Sequence, residues 1–157
     1  MIVEGLELVR DEAAKTESYY CTTPCAVIDA HTIQLLKARL PEQGGTVRIC
    51  LHHDRESILQ EMIVVHRKGG SFEPHKHPEK DESYHLIDGR MRVDLYDPNG
   101  RVQQSLIIGG PGSGLPFLVR VARDTWHATV PDTEFVVFHE SRPGPFTRGD
   151  SVFADWK

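Results

Sequence analysis

The chain has 157 residues, 39% apolar and 26% charged, which suits a single globular domain large enough to bury a real core. A net charge of −5 with no basic run leaves nucleic acid without a footing as a partner. No apolar run approaches the length of a membrane span, and the opening MIVEGLELVRDEAAK lacks the apolar segment of a secretory signal, so no membrane partner and a cytoplasmic location are expected.

Residues 1–28 read as a mixed arm with no clean period. Asp29 to Leu40 reads as the one helix. Asp29 is its N-cap, Ile33, Leu36 and Leu40 share a face, and Pro41 with Gly44-Gly45 ends it. The arm and helix occupy 1–45, and a β-barrel occupies 46–157 of what is one structural domain overall. The barrel portion reads as short strands at near-regular spacing: Thr46–His52, Ser57–Arg67, a hairpin across 69–89, Arg90–Tyr96, Arg101–Ile108, Leu118–Val121, Trp126–Val130 and Glu134–Glu140, with an irregular tail from Ser141. Met62, Val64 and His66 share one face of their strand, as do Met91, Val93 and Leu95, and such stripes fill barrels. The expected class is all-β, a sandwich or barrel with one N-terminal helix. Three cysteines make a disulfide framework improbable, so Cys21 and Cys25 are expected as free thiols and Cys50 as core.

Chemistry concentrates in GGSFEPHKHPEKDESYHLIDG, residues 69–89. His75 and His77 stand two apart, so on an extended segment both point to one side. Pro78 breaks that segment, a polar turn follows, and Glu82 opens the next strand where it can return beside the imidazoles. Asp88-Gly89 closes the run with a hairpin signal. Two imidazoles and a carboxylate suit a divalent ion such as zinc, iron, manganese or nickel better than a soft thiophile. Of the remaining histidines, His127 is the strongest further ligand, since it follows a polar turn and starts a strand after Trp126. His85 sits at an odd offset from Glu82 and faces away. His52-His53 read as a solvated end, and His31, His66 and His139 as packing or surface residues. Tyr84 shares parity with Glu82 and faces the cavity, either as an aromatic core residue or as an acid–base group.

The pattern Gly69, His75-x-His77, Glu82, Gly89 resembles the first motif of the cupin superfamily at each defined position. The second cupin motif is kept only in its histidine, His127; Ala122 and Asp124 stand where the family has proline and glycine, and Pro131 where it has asparagine. Residues 47–102 further resemble the WbuC family of cupin-fold metalloproteins, through Arg48, Leu51-His52 and Gln60-Glu61-Met62; Trp126-His127 and Gly144-Pro145-Phe146 add to the likeness. The resemblance implies a cupin double-stranded β-helix, a small jelly-roll barrel, with one bound divalent metal ion. It also implies a setting in bacterial O-antigen or capsular polysaccharide synthesis.

The leading expectation is a small-molecule enzyme acting on a sugar or nucleotide sugar. His75, His77, Glu82 and His127 would hold the ion, a carbonyl polarised there would allow isomerase or epimerase chemistry, and Tyr84 would assist proton transfer. The alternatives are iron-dependent dioxygenation by the same ligand set and a non-catalytic sugar-binding or structural cupin. A homodimer is expected, because the arm has no core of its own and barrel edges need cover.

Overall fold

Alternation of side chains along the strands determines how this chain divides its apolar residues between two faces. The computed structural model describes residues 1, 3–70, 73–147 and 149–156. Along the chain come β1 (Leu8–Arg10), β2 (Glu17–Cys21), α1 (Ala30–Ala38), β3 (Thr46–Cys50), β4 (Leu59–Arg67), β5 (His75–Lys76) and β6 (Glu82–Asp88). They are followed by β7 (Arg90–Tyr96), β8 (Val102–Gly109), β9 (Leu118–Val121), β10 (His127–Pro131), β11 (Phe135–Pro143) and β12 (Val152–Phe153). Two sheets result: a seven-stranded one in the order β1-β2-β3-β4-β11-β6-β9, and a five-stranded one in the order β12-β5-β10-β7-β8. This is an all-β jelly roll with one short helix, as expected.

The inner face of the larger sheet meets the smaller sheet. Met62, Val64, Leu86 and Phe138 from one side pack with Met91, Val93 and Ile108 from the other. The intervening residues Ile63, Val65 and Val137 point outward and join Val47 and Ile49 beneath Ile33, Leu36 and Leu40. The helix lies there because its apolar stripe needs that cover. Asp29 caps it, its carboxylate accepting from the Thr32 amide at 2.8 Å. Between β6 and β7 the chain turns at Gly89, with φ of 80°; a Cβ there would lie 2.3 Å from the Phe135 carbonyl oxygen, so only glycine fits. Among the described residues no helix is long and apolar enough to cross a membrane.

The arm differs from its expectation. Its residues supply β1 and β2, and β2 pairs in parallel with β3, the connection passing through α1. The strand escapes pattern reading because both its faces are covered: Ser18 is buried on the inner side, Tyr19 and Cys21 on the outer. β11 also runs to Pro143, beyond the expected end at Glu140, and the tail contributes β12. Cys21 and Cys50 are buried and Cys25 exposed, all as free thiols.

Candidate metal centre

Three strands bring four ligand candidates together. His75 lies on β5 directly opposite His127 of β10, His77 follows β5 just before Pro78, and Glu82 opens β6 in the other sheet. One ligand atom from each of His75, His77, Glu82 and His127 lies within 4.8 Å of all the others. His77, Glu82 and His127 are almost fully buried, and His75 is half-buried.

Main-chain carbonyls fix the three rings. His75 Nδ1 is 3.2 Å from the Glu73 oxygen, His77 Nδ1 is 2.6 Å from the Asp150 oxygen, and His127 Nδ1 is 2.8 Å from the Thr125 oxygen. A carbonyl only accepts, so each Nδ1 donates its proton and each neutral ring turns an Nε2 lone pair to the centre. There the Glu82 carboxylate lies 2.5 Å from His127 Nε2 and 3.3 Å from His77 Nε2. The short approaches are not matched by hydrogen-bond geometry: His77 Nε2 and Glu82 Oε1 are buried without a hydrogen-bond partner among the described residues. Lone pairs and a carboxylate crowded in a water-poor pocket repel unless a proton or a cation sits between them. The donor set, three imidazole nitrogens and one carboxylate, fits a divalent transition ion.

The electrostatics agree. Burial alone would raise the Glu82 pKa, but the His127 and His77 rings beside it override that and hold the carboxyl well below its usual range. Burial opposes protonation of His77 as well, yet the Glu82 carboxylate raises its pKa, so a proton is the natural competitor for the ion. His75, desolvated and next to His127, is pushed down to about 4 and stays neutral, as a ligand must.

Tyr84 points inward as its parity requires. Its hydroxyl lies 3.2 Å from His127 Nε2 and its ring packs edge-on against Phe138 at 5.7 Å. Burial first, then the charges of Glu82 and Glu140, raise its pKa well above 10, so the phenol keeps its proton.

Pattern reading passed over other interior polar residues. Glu140 stands opposite both Tyr84 and Met62 in the sheet, so it faces the same chamber. Burial raises its pKa; Arg142 and Arg48 pull it down and Glu82 pushes it up. The stretch Val136, Phe138, Glu140, Arg142 alternates inward, a signal cut short by ending the expected strand at Glu140. His52, read as solvated, is buried, its Nδ1 3.0 Å from the Glu61 carbonyl, while His53 is exposed as expected. His66 retains a surface edge, but its ring sits against Phe138 at 5.1 Å, and Thr46 Oγ1 lies 2.7 Å from its Nδ1. His85 faces outward beside Phe117 and opposite His139, and His31 is exposed, none of them near the ligands. A groove of about 500 Å³ between α1 and β6, lined by Ile33, Lys37, Ile63 and Ile87, also lies on that outer side and contains no ligand candidate.

The C-terminal tail closes one side of the centre. Besides the Asp150 carbonyl on His77, Phe153 pairs with His75 in the sheet and their rings lie 5.7 Å apart. Lys80 pairs with Asp150 at 2.6 Å, and Trp156 packs edge-on against Trp126 at 4.6 Å.

Residues 46–108 match the model of a domain of unknown function, DUF6016. Comparison with curated protein sequences finds no match. Among solved structures the chain resembles protein SO0799 from Shewanella oneidensis, at 14% identity and a TM-score of 0.58, covering 82% of this chain and 85% of that one. It also resembles oxalate decarboxylase from Lactobacillus farciminis in its formate complex, at 16% identity and a TM-score of 0.54, covering 73% of this chain. A Bacillus subtilis oxalate decarboxylase described by its Mn(II) centres gives 17% identity and a TM-score of 0.53. The matched region spans 32% and 29% of those two decarboxylase chains. At such identities the likeness establishes the cupin fold.

Proposed function

We propose that this is a metal-dependent small-molecule enzyme of the WbuC type, acting on a sugar or nucleotide sugar in bacterial O-antigen or capsular polysaccharide synthesis by isomerase or epimerase chemistry. The observation that supports it most is the set of three imidazoles, each anchored through Nδ1 and aimed through Nε2 at one buried carboxylate. A divalent ion held by His75, His77, Glu82 and His127 would polarise a substrate carbonyl and so acidify the adjacent C–H. Manganese is the first ion to test, given the Mn(II) centres of the structurally similar decarboxylase.

The chain's own residues supply the rest. Tyr84 holds a proton on a buried phenol at the edge of the centre and is the general acid of this reading. Met62, Leu86 and Phe138 pack with Tyr84 in the apolar core and would keep water from that side of the centre. The chain would act as a homodimer, covering the β9 edge where Phe117 and Leu118 are half exposed; a monomer in sedimentation at micromolar concentration rejects that part.

The test is metal analysis of protein purified without a metal-affinity column, followed by incubation of the loaded protein with aldoses and nucleotide sugars in D2O. Deuterium appearing at the carbon next to the carbonyl, lost in Tyr84→Phe with the ion retained, is the expected result. Oxygen consumption with iron(II) would identify a dioxygenase instead, and saturable sugar binding without exchange a non-catalytic binder.

A further inference from the structure

We infer that Arg142 is an anion-binding residue of the metal chamber, so that the substrate carries a carboxylate or phosphate group in addition to its carbonyl. The inference rests on the metal-centre reading of His75, His77, Glu82 and His127.

Arg142 occupies the inner face of β11, two residues beyond Glu140 and four beyond Phe138. Ser141 pairs with Ser83, so the next inward position on β11 lies alongside the ligand Glu82 on the adjacent strand, about 5 Å away at the backbone. On its other side Arg142 stands opposite Gln60, whose carboxamide nitrogen is already engaged with the Asp54, Arg55 and Ser57 carbonyls. The guanidinium rests over the Phe146 ring at 5.2 Å. Phe146 is itself held by its amide on the Arg55 carbonyl at 2.6 Å, and the preceding turn by the Gly144 amide on the Ile58 carbonyl at 2.8 Å. The planar fork is therefore held by its face, with its edge left for a ligand.

The charges inside the chamber bear on this residue. On the outside Arg39, Arg67, Arg90, Arg92 and Arg120 are each paired with a carboxylate, and Arg101 and Arg123 are exposed. Inside, Arg48 donates to the Ser18 hydroxyl, and Arg142 forms no ion pair among the described residues, not even with Glu140 on its own face. With a divalent ion held at the centre, two arginines and that ion against Glu82 and Glu140 would leave the chamber net positive, in a chain whose overall charge is −5. An anionic substrate supplies the missing charge, and a fork of N–H donors recognises carboxylate and phosphate oxygens in the same way.

The experiment uses the full chain loaded with Mn²⁺, its ion content measured first, and calorimetric titration with glucuronate, glucose 6-phosphate and glucose. At least one of the two charged sugars should bind about tenfold or more tightly than glucose, the least expected of charge-assisted hydrogen bonds, and the tighter of the two identifies the anion. Arg142→Gln should remove that advantage while retaining the ion, the thermal midpoint and any glucose affinity; Arg142→Lys should fall between. Equal binding of charged and neutral sugars, no binding by any of them, or undiminished anion affinity in Arg142→Gln with the ion in place overturns this inference alone. A wild-type chain that takes up no ion overturns the metal-centre reading and this inference with it.

Discussion

The seven-stranded sheet covers two cores, and they are built to different ends. The part of its outer face under α1 is apolar, with Ile63, Val65 and Val137 packed against Leu36 and Leu40. Its inner face begins the same way, with Leu86 and Phe138, then changes two residues along β6 and β11 to Tyr84 and Glu140, and reaches Glu82 two residues beyond Tyr84. The outer face can be exchanged for any well-packed set of similar volume. The inner one gives up packing at one end to hold groups that cost free energy to bury, and a fold keeps such groups where they carry chemistry.

The comparison predicts separable effects. Leu36→Ala, at a residue with no exposed surface, should lower stability by about 2–5 kcal/mol in urea unfolding, while the folded fraction binds metal as before. A tenfold change in metal affinity would mean that the two faces are coupled. Glu82→Gln should reverse that pattern, losing about 100-fold or more in ion affinity by chelator competition, beyond what orienting partners of a ligand contribute. Glu79→Gln, exposed in the neighbouring turn, should bind the ion as the wild type does. Equal affinities in the two variants would reduce the 69–89 stretch to a plain hairpin.

Acid should probe the inner face selectively. Burial pushes His66 down to about 3, below the roughly 6.5 of an unfolded histidine. Between those values the unfolded chain binds the extra proton, so stability is full above about 6.5 and falls as the pH drops toward 3. His66→Gln should flatten this dependence by at most about 1.4 kcal/mol per pH unit, measured by denaturant midpoints of the metal-free protein. The smallest effect belongs to the rim of the outer core. Lys37 reaches Asp88 at 2.8 Å and lies over Phe135, and Lys37→Met should cost about 1 kcal/mol or less. A larger loss would show that the helix is held by charge rather than by its apolar stripe.

Much of the centre was legible because its ligands obey short-range geometry. His75 and His77 share a side by strand parity, Glu82 returns after a fixed turn, and His127 follows its own turn onto β10. The helix was legible through Asp29 and its apolar spacing. What stayed hidden lacks a local signature. β2 shows no alternation because both faces are covered, Glu140 stands at the end of the expected strand, and Arg142 falls in what reads as an irregular tail. The anchors of the imidazoles are main-chain carbonyls, which every residue carries and no pattern marks.

One of those anchors links distant parts of the chain. His77 is oriented by the carbonyl of Asp150, seventy-three residues later. A nascent chain leaving the ribosome therefore presents all four ligand side chains once residue 127 is free, but the ring of His77 has no partner to settle its tautomer until residue 150 follows. Ion capture in its final form is thus reserved for chains translated at least as far as residue 150.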